Sequence, residues 1–324
     1  MIARRPQSTA EDTWAFMLRF ICYRLVTALT VLWLVFTAAF LLVRFAPGGP
    51  LESADALPPS VRANLEERFG LDRPLREQYV ESLRAALRFD FGVSFIHQGQ
   101  LEVGELLSRA VPISLELGLY ATVFALFVGL LAGIVGARRP GGCLDRAVTF
   151  LALSGYAVPS LVLAPLLVLL FGERLAWLPV SGWDGVASKV LPTVALGLVF
   201  AAALARLSRS SFENALKEDF VVAARARGVS ERRILVRHVL PHGIGPVLGF
   251  LGPALAQVLT GSIVVERVFA IPGVAEHFIE SALARDYPVL MGVVMLYSAL
   301  LLLLNLVTDL AHAYLDPRVM EPAR

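Results

Sequence analysis

Six stretches of this chain run without a single Asp, Glu, Lys or Arg: residues 25–43, 117–137, 147–172, 190–205, 238–265 and 287–308. Their lengths are 19, 21, 26, 16, 28 and 22 residues. An α-helix rising about 1.5 Å per residue needs roughly 20 apolar residues to cross about 30 Å of hydrocarbon, and five of the six meet that length. The fourth is short, but Arg206 at its end can reach back to the interface and lengthen it, so it reads as a span rather than a re-entrant segment. Hydrophobic residues make up 56% of the 324 and charged ones 17%, against about 45–50% and about 25% in soluble domains. The expected fold is an all-α integral membrane protein of about six transmembrane helices.

The first run follows Arg4, Arg5, Arg19 and Arg24, the layout of a signal peptide, but it is too long for one and no small-residue cleavage site follows, so it reads as a retained anchor. Placing the N-terminus in the cytosol puts 17 basic residues of the termini and inner loops inside, while the two short outer loops hold only Arg174, Lys189 and Arg285, with Arg267 at their edge. Both termini are therefore expected to be cytosolic. The expected order is a cytosolic segment 1–24, a first helix 25–44 and an extracytoplasmic helical insertion 45–108. The core 109–315 then holds spans two to six with an inner loop 206–238, and a cytosolic tail 316–324 follows. A formal charge of +2 gives no nucleic-acid footprint. Cys22 and Cys143 are too few for a disulfide framework and are expected as reduced thiols on the cytosolic side.

Within the insertion, Val61, Leu65 and Phe69 recur every four residues up to Gly70, an amphipathic helix with a glycine cap. Asp72 is then placed to cap a second helix striped by Leu75, Tyr79, Leu83 and Leu87. Such a cap either braces the spans or offers a docking surface. In the inner loop, good helix formers up to Arg227 precede Gly228, which suits a left-handed turn, and Ser230 with Glu231 opens a second helix. Alanines at 223, 224 and 226 permit close approach by a partner, and the flanking arginines suit acidic or polar contacts.

At this loop the chain resembles the membrane permeases of ATP-binding-cassette importers. Their signature reads Glu-Ala-Ala, three residues, Gly, nine residues, Ile-x-Leu-Pro. Ala223, Ala224, Gly228 and Leu240-Pro241 match it, with Val222 in place of the glutamate and His238 in place of the isoleucine. Those departures resemble the dipeptide/oligopeptide/nickel subfamily, as do Asp219-Phe220-Val221, Ala224-Arg225-Ala226-Arg227-Gly228 and Arg237-His238. Five further motifs follow in that subfamily's order: Phe45-Ala46-Pro47-Gly48, Phe91-Gly92-Val93-Ser94, Val265-Glu266-Arg267-Val268-Phe269-Ala270-Ile271-Pro272-Gly273, Arg285-Asp286-Tyr287-Pro288 and Leu315-Asp316-Pro317-Arg318.

The resemblance implies a permease subunit of the bacterial inner membrane that forms half of a pathway for peptides or related solutes. It implies a sister permease, usually a different chain, two cytosolic ATPase subunits carrying ATP and Mg, and an external binding protein. It makes the helix before Gly228 a coupling helix that docks on an ATPase, with Asp219, Phe220, Ala223, Ala224, Arg225, Arg227, Gly228, Ser230 and Arg233 as the contact set. A bulky residue at Gly228 is expected to block the turn. No cofactor is expected on this chain, and none of its residues is assigned a catalytic or metal-binding role.

The residues themselves agree. Only Lys189 and Lys217 occur and neither follows glycine, so there is no Walker A loop, and there is no His-Glu-x-x-His or Gly-x-Ser-x-Gly for a membrane enzyme. The rival class, an ion-coupled secondary transporter, needs ionisable groups within the membrane, and spans three, five and six have none between their ends. His238 and His242 have metal-ligand spacing, but Pro241 intervenes and no third ligand is evident, which favours a structural role. Gly129 and Gly133 form Gly-x-x-x-Gly, a close-packing signal that does not name the partner helix. Gln257, Thr260, Ser262, Ser298 and Asn305 either line a polar pathway or bond neighbouring helices.

Overall fold

The computed structural model describes residues 10–45, 70, 72–95 and 101–315. The helix expected on Val61, Leu65 and Phe69, the Pro47-Gly48 motif and the tail 316–324 lie outside them. Among the described residues there is no strand, only an isolated bridge between Val93 and Glu102. The helices are α1 (Ala10–Phe45), α2 (Leu75–Ala86), α3 (Val103–Arg138), α4 (Cys143–Ala157), α5 (Ser160–Leu167), α6 (Val186–Lys217), α7 (Asp219–Ala226), α8 (Glu231–Ile234), α9 (Leu240–Gly243), α10 (Gly245–Val268), α11 (Val274–Ala284) and α12 (Tyr287–Leu315).

Four helical stretches are long and apolar enough to cross a membrane, Ile21–Phe45, Val103–Arg138, Val186–Lys217 and Tyr287–Leu310, and two bent pairs raise the number to six. The short fourth run is the middle of the 32-residue α6, so it has ample length. The third run is not one straight helix. Cys143–Gly155 and Ser160–Arg174 meet at 102°, because Pro159 lacks an N–H and forces Val158 into an extended conformation (φ −91°, ψ 113°). Beyond Leu167 that second arm widens into a π-helical turn, Val168–Arg174. The fifth run is bent as well, by 42° between Glu231–Gly243 and Gly245–Gly252.

Residues 206–217, expected as the start of the inner loop, continue α6 as helix, and α3 opens at Val103 inside the expected insertion. Asp72 does not cap α2; Pro74 holds the N-cap position without a side-chain bond, while Gly70 is left-handed (φ +62°) as its place in the sequence suggests. The expected stripe on α2 divides. Tyr79 packs edge-on against Phe36 and Phe40 of α1, and its hydroxyl meets Trp33 Nε1 at 3.0 Å and Thr37 Oγ1 at 2.9 Å. Leu75 and Leu87 stay exposed.

The most extensive helix pair is α3 with α6. Gly118, Ala121, Ala125, Gly129, Gly133 and Gly136 make a buried small-residue stripe along α3, the spacing that lies on one helix face. A Cβ at Gly129 would sit 2.6 Å from Leu204 Cβ, and one at Gly133 would sit 2.8 Å from the Arg209 backbone nitrogen. Reciprocally, a Cβ at Gly197 on α6 would lie 2.7 Å from the Ala121 carbonyl oxygen. Ser208 is buried in the seam; its hydroxyl donates to the Leu204 carbonyl of its own helix at 2.6 Å and stands 3.1 Å from the Gly129 carbonyl. The partner that Gly129 and Gly133 left unnamed is α6.

Two motif pairs prove to be structural locks. Asp286, fully buried, accepts from Ser94 Oγ at 2.5 Å and the Phe95 amide at 3.1 Å, which ties the 91–94 motif to the start of α12. Glu266, also buried, accepts the Ala275 amide at 3.0 Å, while the Val274 amide donates to Ser114 Oγ at 2.9 Å. Gly273 at the N-cap of α11 has no side chain to satisfy those amides, and a Cβ there would collide with both Glu266 and Ser114.

The seam makes a sharp comparison possible. Gly133→Ala places a methyl against backbone that cannot yield and is expected to destabilise by about 1–3 kcal/mol. Gly104→Ala, in the same helix but with nothing within 4 Å of its Cβ, is expected to be neutral or to stabilise by up to about 1 kcal/mol. Melting temperatures of the two variants in detergent decide the matter, and equal values would refute the account of the seam.

Candidate functional site

The segment after α6 assembles into a compact unit. Glu218 is extended (φ −67°, ψ 146°), which breaks α6 and starts α7 at a new angle. The end of α7 is a complete Schellman motif: the Gly228 amide bonds the Arg225 carbonyl at 2.9 Å and the Val229 amide bonds the Ala224 carbonyl at 3.2 Å, with Gly228 at φ +76°. Ser230 occupies the N-cap position of α8 by backbone conformation, without a side-chain bond. Across the turn Arg225 donates to Glu231 through Nε at 2.7 Å and a terminal nitrogen at 3.2 Å. That pairing raises the guanidinium pKa further above its ordinary value. Arg227 Nε turns back to the Ala223 carbonyl at 3.2 Å.

One face of α7 is fixed to the helical body. Val221 and Ala224 are fully buried in a cluster with Ala137 at the end of α3, Phe212 and Ala215 at the end of α6, and Ile234 and Val239 beyond the turn. Phe220 lies 4.5 Å from the His242 ring and 6.4 Å from the His238 ring, centroid to centroid. His242 Nδ1 is also 2.8 Å from the His238 carbonyl. The two histidines therefore cradle an aromatic side chain, and no metal-holding cluster occurs among the described residues. Gly243 lets the Phe212 ring approach within 2.3 Å of where a Cβ would stand. The opposite face is open: Val222 is 57% exposed, and Asp219, Ala223, Ala226, Arg227, Gly228, Ser230 and Arg233 are exposed with it. Ala224 thus departs from the other small residues, because it is spent on the chain's own core.

Next to this unit Asp145, at the start of α4, takes a two-pronged ion pair from Arg209 of α6 and the Gly141 amide at 2.8 Å. The pair clamps the α3–α4 connection to α6. Toward the other end of α6, Glu116 accepts from Lys189 at 2.6 Å, Trp183 at 2.9 Å and Tyr120 at 2.8 Å. Both carboxylates are engaged in fixed pairs, which suits bracing rather than a proton relay. Sequence reading missed the Asp145–Arg209 pair because its members are 64 positions apart with no shared motif. It quoted Glu266 and Asp286 only as family pattern.

Of the five polar candidates, the three with described side chains stand in separate surroundings. Ser262 is fully buried, Ser298 gives its hydroxyl to the Val294 carbonyl at 2.8 Å, and Asn305 borders a cavity of about 420 Å³ with Arg24, Thr308 and Asp309. Gln257 and Thr260 lie on α10 with their side chains outside the described set. Cys22 and Cys143 are exposed free thiols.

Residues 125–321 match the family model described as binding-protein-dependent transport system inner membrane component, and residues 17–118 match the N-terminal model of the same kind of membrane component. The chain belongs to this family of importer permeases. The oligopeptide transport system permease protein OppB of Salmonella typhimurium is 38% identical over 94% of this chain and 99% of its own length. The dipeptide transport system permease protein DppB of Bacillus subtilis is 39% identical over 94% and 98%. In fold, the permease resembles an inward-facing MetNI methionine ABC transporter chain, with TM-score 0.56, 19% identity and coverage of 65% of this chain and 96% of that one. It is a multi-pass membrane protein and a subunit of an ATP-driven importer, not an ion-coupled transporter, and hydrolysis belongs to separate ATPase subunits.

The turn after α7 gives a graded test. A Cβ at Gly228 meets nothing within 4 Å, so a side chain there does not block the turn by bulk; the obstacle is the left-handed backbone itself, costing roughly 1–2 kcal/mol for most residues and less for asparagine. Gly228→Asn is expected to keep most ATP-dependent uptake and Gly228→Val to reduce it at equal protein level. Wild-type uptake by Gly228→Val would show that the handedness of this turn does not matter.

Proposed function

We propose that the permease imports peptides or closely related solutes and that α7 with the Gly228 turn is its coupling helix. The observation that carries the coupling role is the division of α7 into two faces. Val221 and Ala224 are seated on the ends of α3 and α6, while Val222, Ala223 and Ala226 stand outward beside Arg227 and Arg233. A push on the outer face therefore reaches the membrane helices through packed side chains instead of dissipating in a loop. Asp219, Phe220, Arg225 and Ser230 serve the same unit: Asp219 opens the helix, Phe220 and Arg225 anchor it, and Ser230 starts the return.

On this reading two cytosolic ATPase subunits, carrying ATP and Mg, lie below α7, and nucleotide-driven closure biases a two-state membrane domain. A sister permease, a different chain, supplies the other half of the pathway, and an external binding protein delivers substrate near the insertion 45–108. Both termini and the 206–238 segment face the cytosol on this reading, which the arginine distribution supports. The choice of peptides rests on the OppB and DppB relatives.

A pair of adjacent substitutions tests the coupling role. Ala223→Trp, on the open face, is expected to leave membrane insertion intact and to lower uptake by about tenfold or more, equivalent to roughly 1.4 kcal/mol of lost interaction. Ala224→Trp, on the packed face, is expected to reduce the amount of folded protein. Affinity purification from native membranes, with the bound proteins identified by mass spectrometry, is expected to recover an ATPase pair and a second permease with the wild type and less ATPase with Ala223→Trp. Normal uptake by Ala223→Trp would remove α7 from the interface.

A further inference from the structure

Between α1, α2, the 90–95 segment and the start of α12 lies a hollow of about 390 Å³ whose wall is polar and apolar in similar measure. Two charges on that wall have no ion-pair partner among the described residues, and they are of opposite sign. Arg44, partly buried in the last turn of α1, has its guanidinium carbon 5.3 Å from the Phe40 ring and 5.7 Å from the Tyr287 ring. Asp90, which is exposed, accepts the Gly92 amide at 2.9 Å. The third charge, Glu81, is already held by Arg73 at 2.6 Å. Stacking on rings keeps a guanidinium in place and leaves its N–H edge free to donate, while the Gly92 amide fixes the Asp90 carboxylate in its turn. Arg44 and Asp90 are thus held on one hollow without neutralising each other, although a cation drawn partly out of water normally finds an anion.

The wall selects among occupants. A lone anion satisfies Arg44 but meets Asp90 and Glu81 as like charges, and a lone cation meets Arg44 as one; either leaves a charge unpaired. A zwitterion satisfies both. Much of the remaining wall is aromatic, with Phe36, Phe91 and Phe95 beside the two rings at Arg44, which suits a ligand with apolar surface between its charges. Phe36 and Arg44 stand eight positions apart on α1, so the hollow extends about 12 Å along that helix. That is room for two or three extended residues at roughly 3.5 Å each, the length of a short peptide and more than a free amino acid fills.

We propose that this hollow is a receiving site for short zwitterionic peptides, with the terminal carboxylate at Arg44, the terminal ammonium toward Asp90 and a side chain against the rings. The inference rests on the peptide reading of the permease and adds to it the residues that take hold of the substrate. Asp90 and Phe95 belong to the insertion near which the binding protein releases its load, so the peptide meets the permease where α1 ends and α12 begins. Two fixed charges of opposite sign also set the direction in which the peptide lies.

The test uses the full importer complex in lipid nanodiscs, without its binding protein, and radiolabelled alanyl-phenylalanine. Wild type is expected to bind the dipeptide, and its C-terminal amide and N-acetyl derivatives are expected to compete about tenfold less well than the unmodified form, as loss of one charge-assisted bond implies. Arg44→Gln is expected to weaken binding by about the same factor and to erase the distinction between acid and amide, which a merely structural role would not do. Arg44→Lys keeps the charge and is expected to keep that distinction, and Asp90→Asn is expected to erase the one between free and acetylated amine. Arg88→Gln, the same loss of charge at an exposed neighbour off the wall, is expected to bind as wild type does, and melting temperatures control for folding. Undiminished binding by Arg44→Gln, equal competition by acid and amide, or no binding by wild type would each overturn the site. ATP-dependent uptake by the complete importer with its binding protein separates this proposal from the reading beneath it. Dipeptide uptake that persists while the site fails leaves peptide import standing, whereas no uptake of di- or tripeptides by wild type overturns both.

Discussion

Everything in this fold hangs on how closely α3 approaches α6. Each buried glycine in a helix costs about 1 kcal/mol in propensity relative to alanine, and α3 carries Gly129, Gly133 and Gly136 on one face. The cost is offset only because backbone then meets backbone: Ala201 and Arg209 of α6 come within van der Waals range of where those side chains would begin. In lipid no hydrophobic gain draws two helices together, so close packing along the glycine face must do it. Once the seam is fixed, the ends of α3 and α6 form a platform of Ala137, Phe212 and Ala215, and α7 has somewhere to sit.

The remaining helices are joined by a different device. Where a loop brings a helix N-terminus into the interior, its free amides need acceptors, and the acceptors come from other elements. Glu266 of α10 and Ser114 of α3 serve α11, and Asp286 serves α12 while holding Ser94 and Phe95. Glu266 is therefore a junction among α10, α11 and α3, and Asp286 one between the 94–95 segment and the start of α12. These bonds bring together short motifs far apart in sequence, 91–94 with 285–288, and hold the 265–273 loop against α3 at Ser114.

Much of this was legible in advance, and the parts that were not share a cause. Runs free of charge gave the spans because the bilayer sets their length, and Gly228 gave its turn because few residues tolerate a left-handed backbone. Propensity and spacing, however, act locally. They did not reveal the 102° bend at Pro159, since an apolar run has the same composition whether straight or folded back. Nor did they reveal that Ala224 faces inward while Ala223 faces out, because that depends on where Phe212 and Ile234 arrive from other helices. The Asp72 cap failed because Pro74, two residues later, starts the helix on its own fixed φ. His238 and His242 had the spacing of ligands, and their partner proved to be Phe220, a residue no spacing rule would have joined to them.

The uninterrupted length of α6 then matters for mechanism. Its 32 residues span about 48 Å, and within it about 39 Å separate Lys189, held by Glu116 beside Trp183, from Ala215, on which with Phe212 α7 is seated. On the proposed coupling role, a displacement of α7 would be carried along α6 by the close α3 contacts at Gly129 and Gly133 and by the Asp145–Arg209 clamp, which fixes the α4 connection to the same helix. The bent α4–α5 pair and the kinked α8–α10 stretch are the opposite kind of element: π-helical turns and proline breaks give them places to flex. One continuous, tightly seamed pair surrounded by jointed helices suits a two-state membrane domain, since a lever transmits a change only if something else is free to yield.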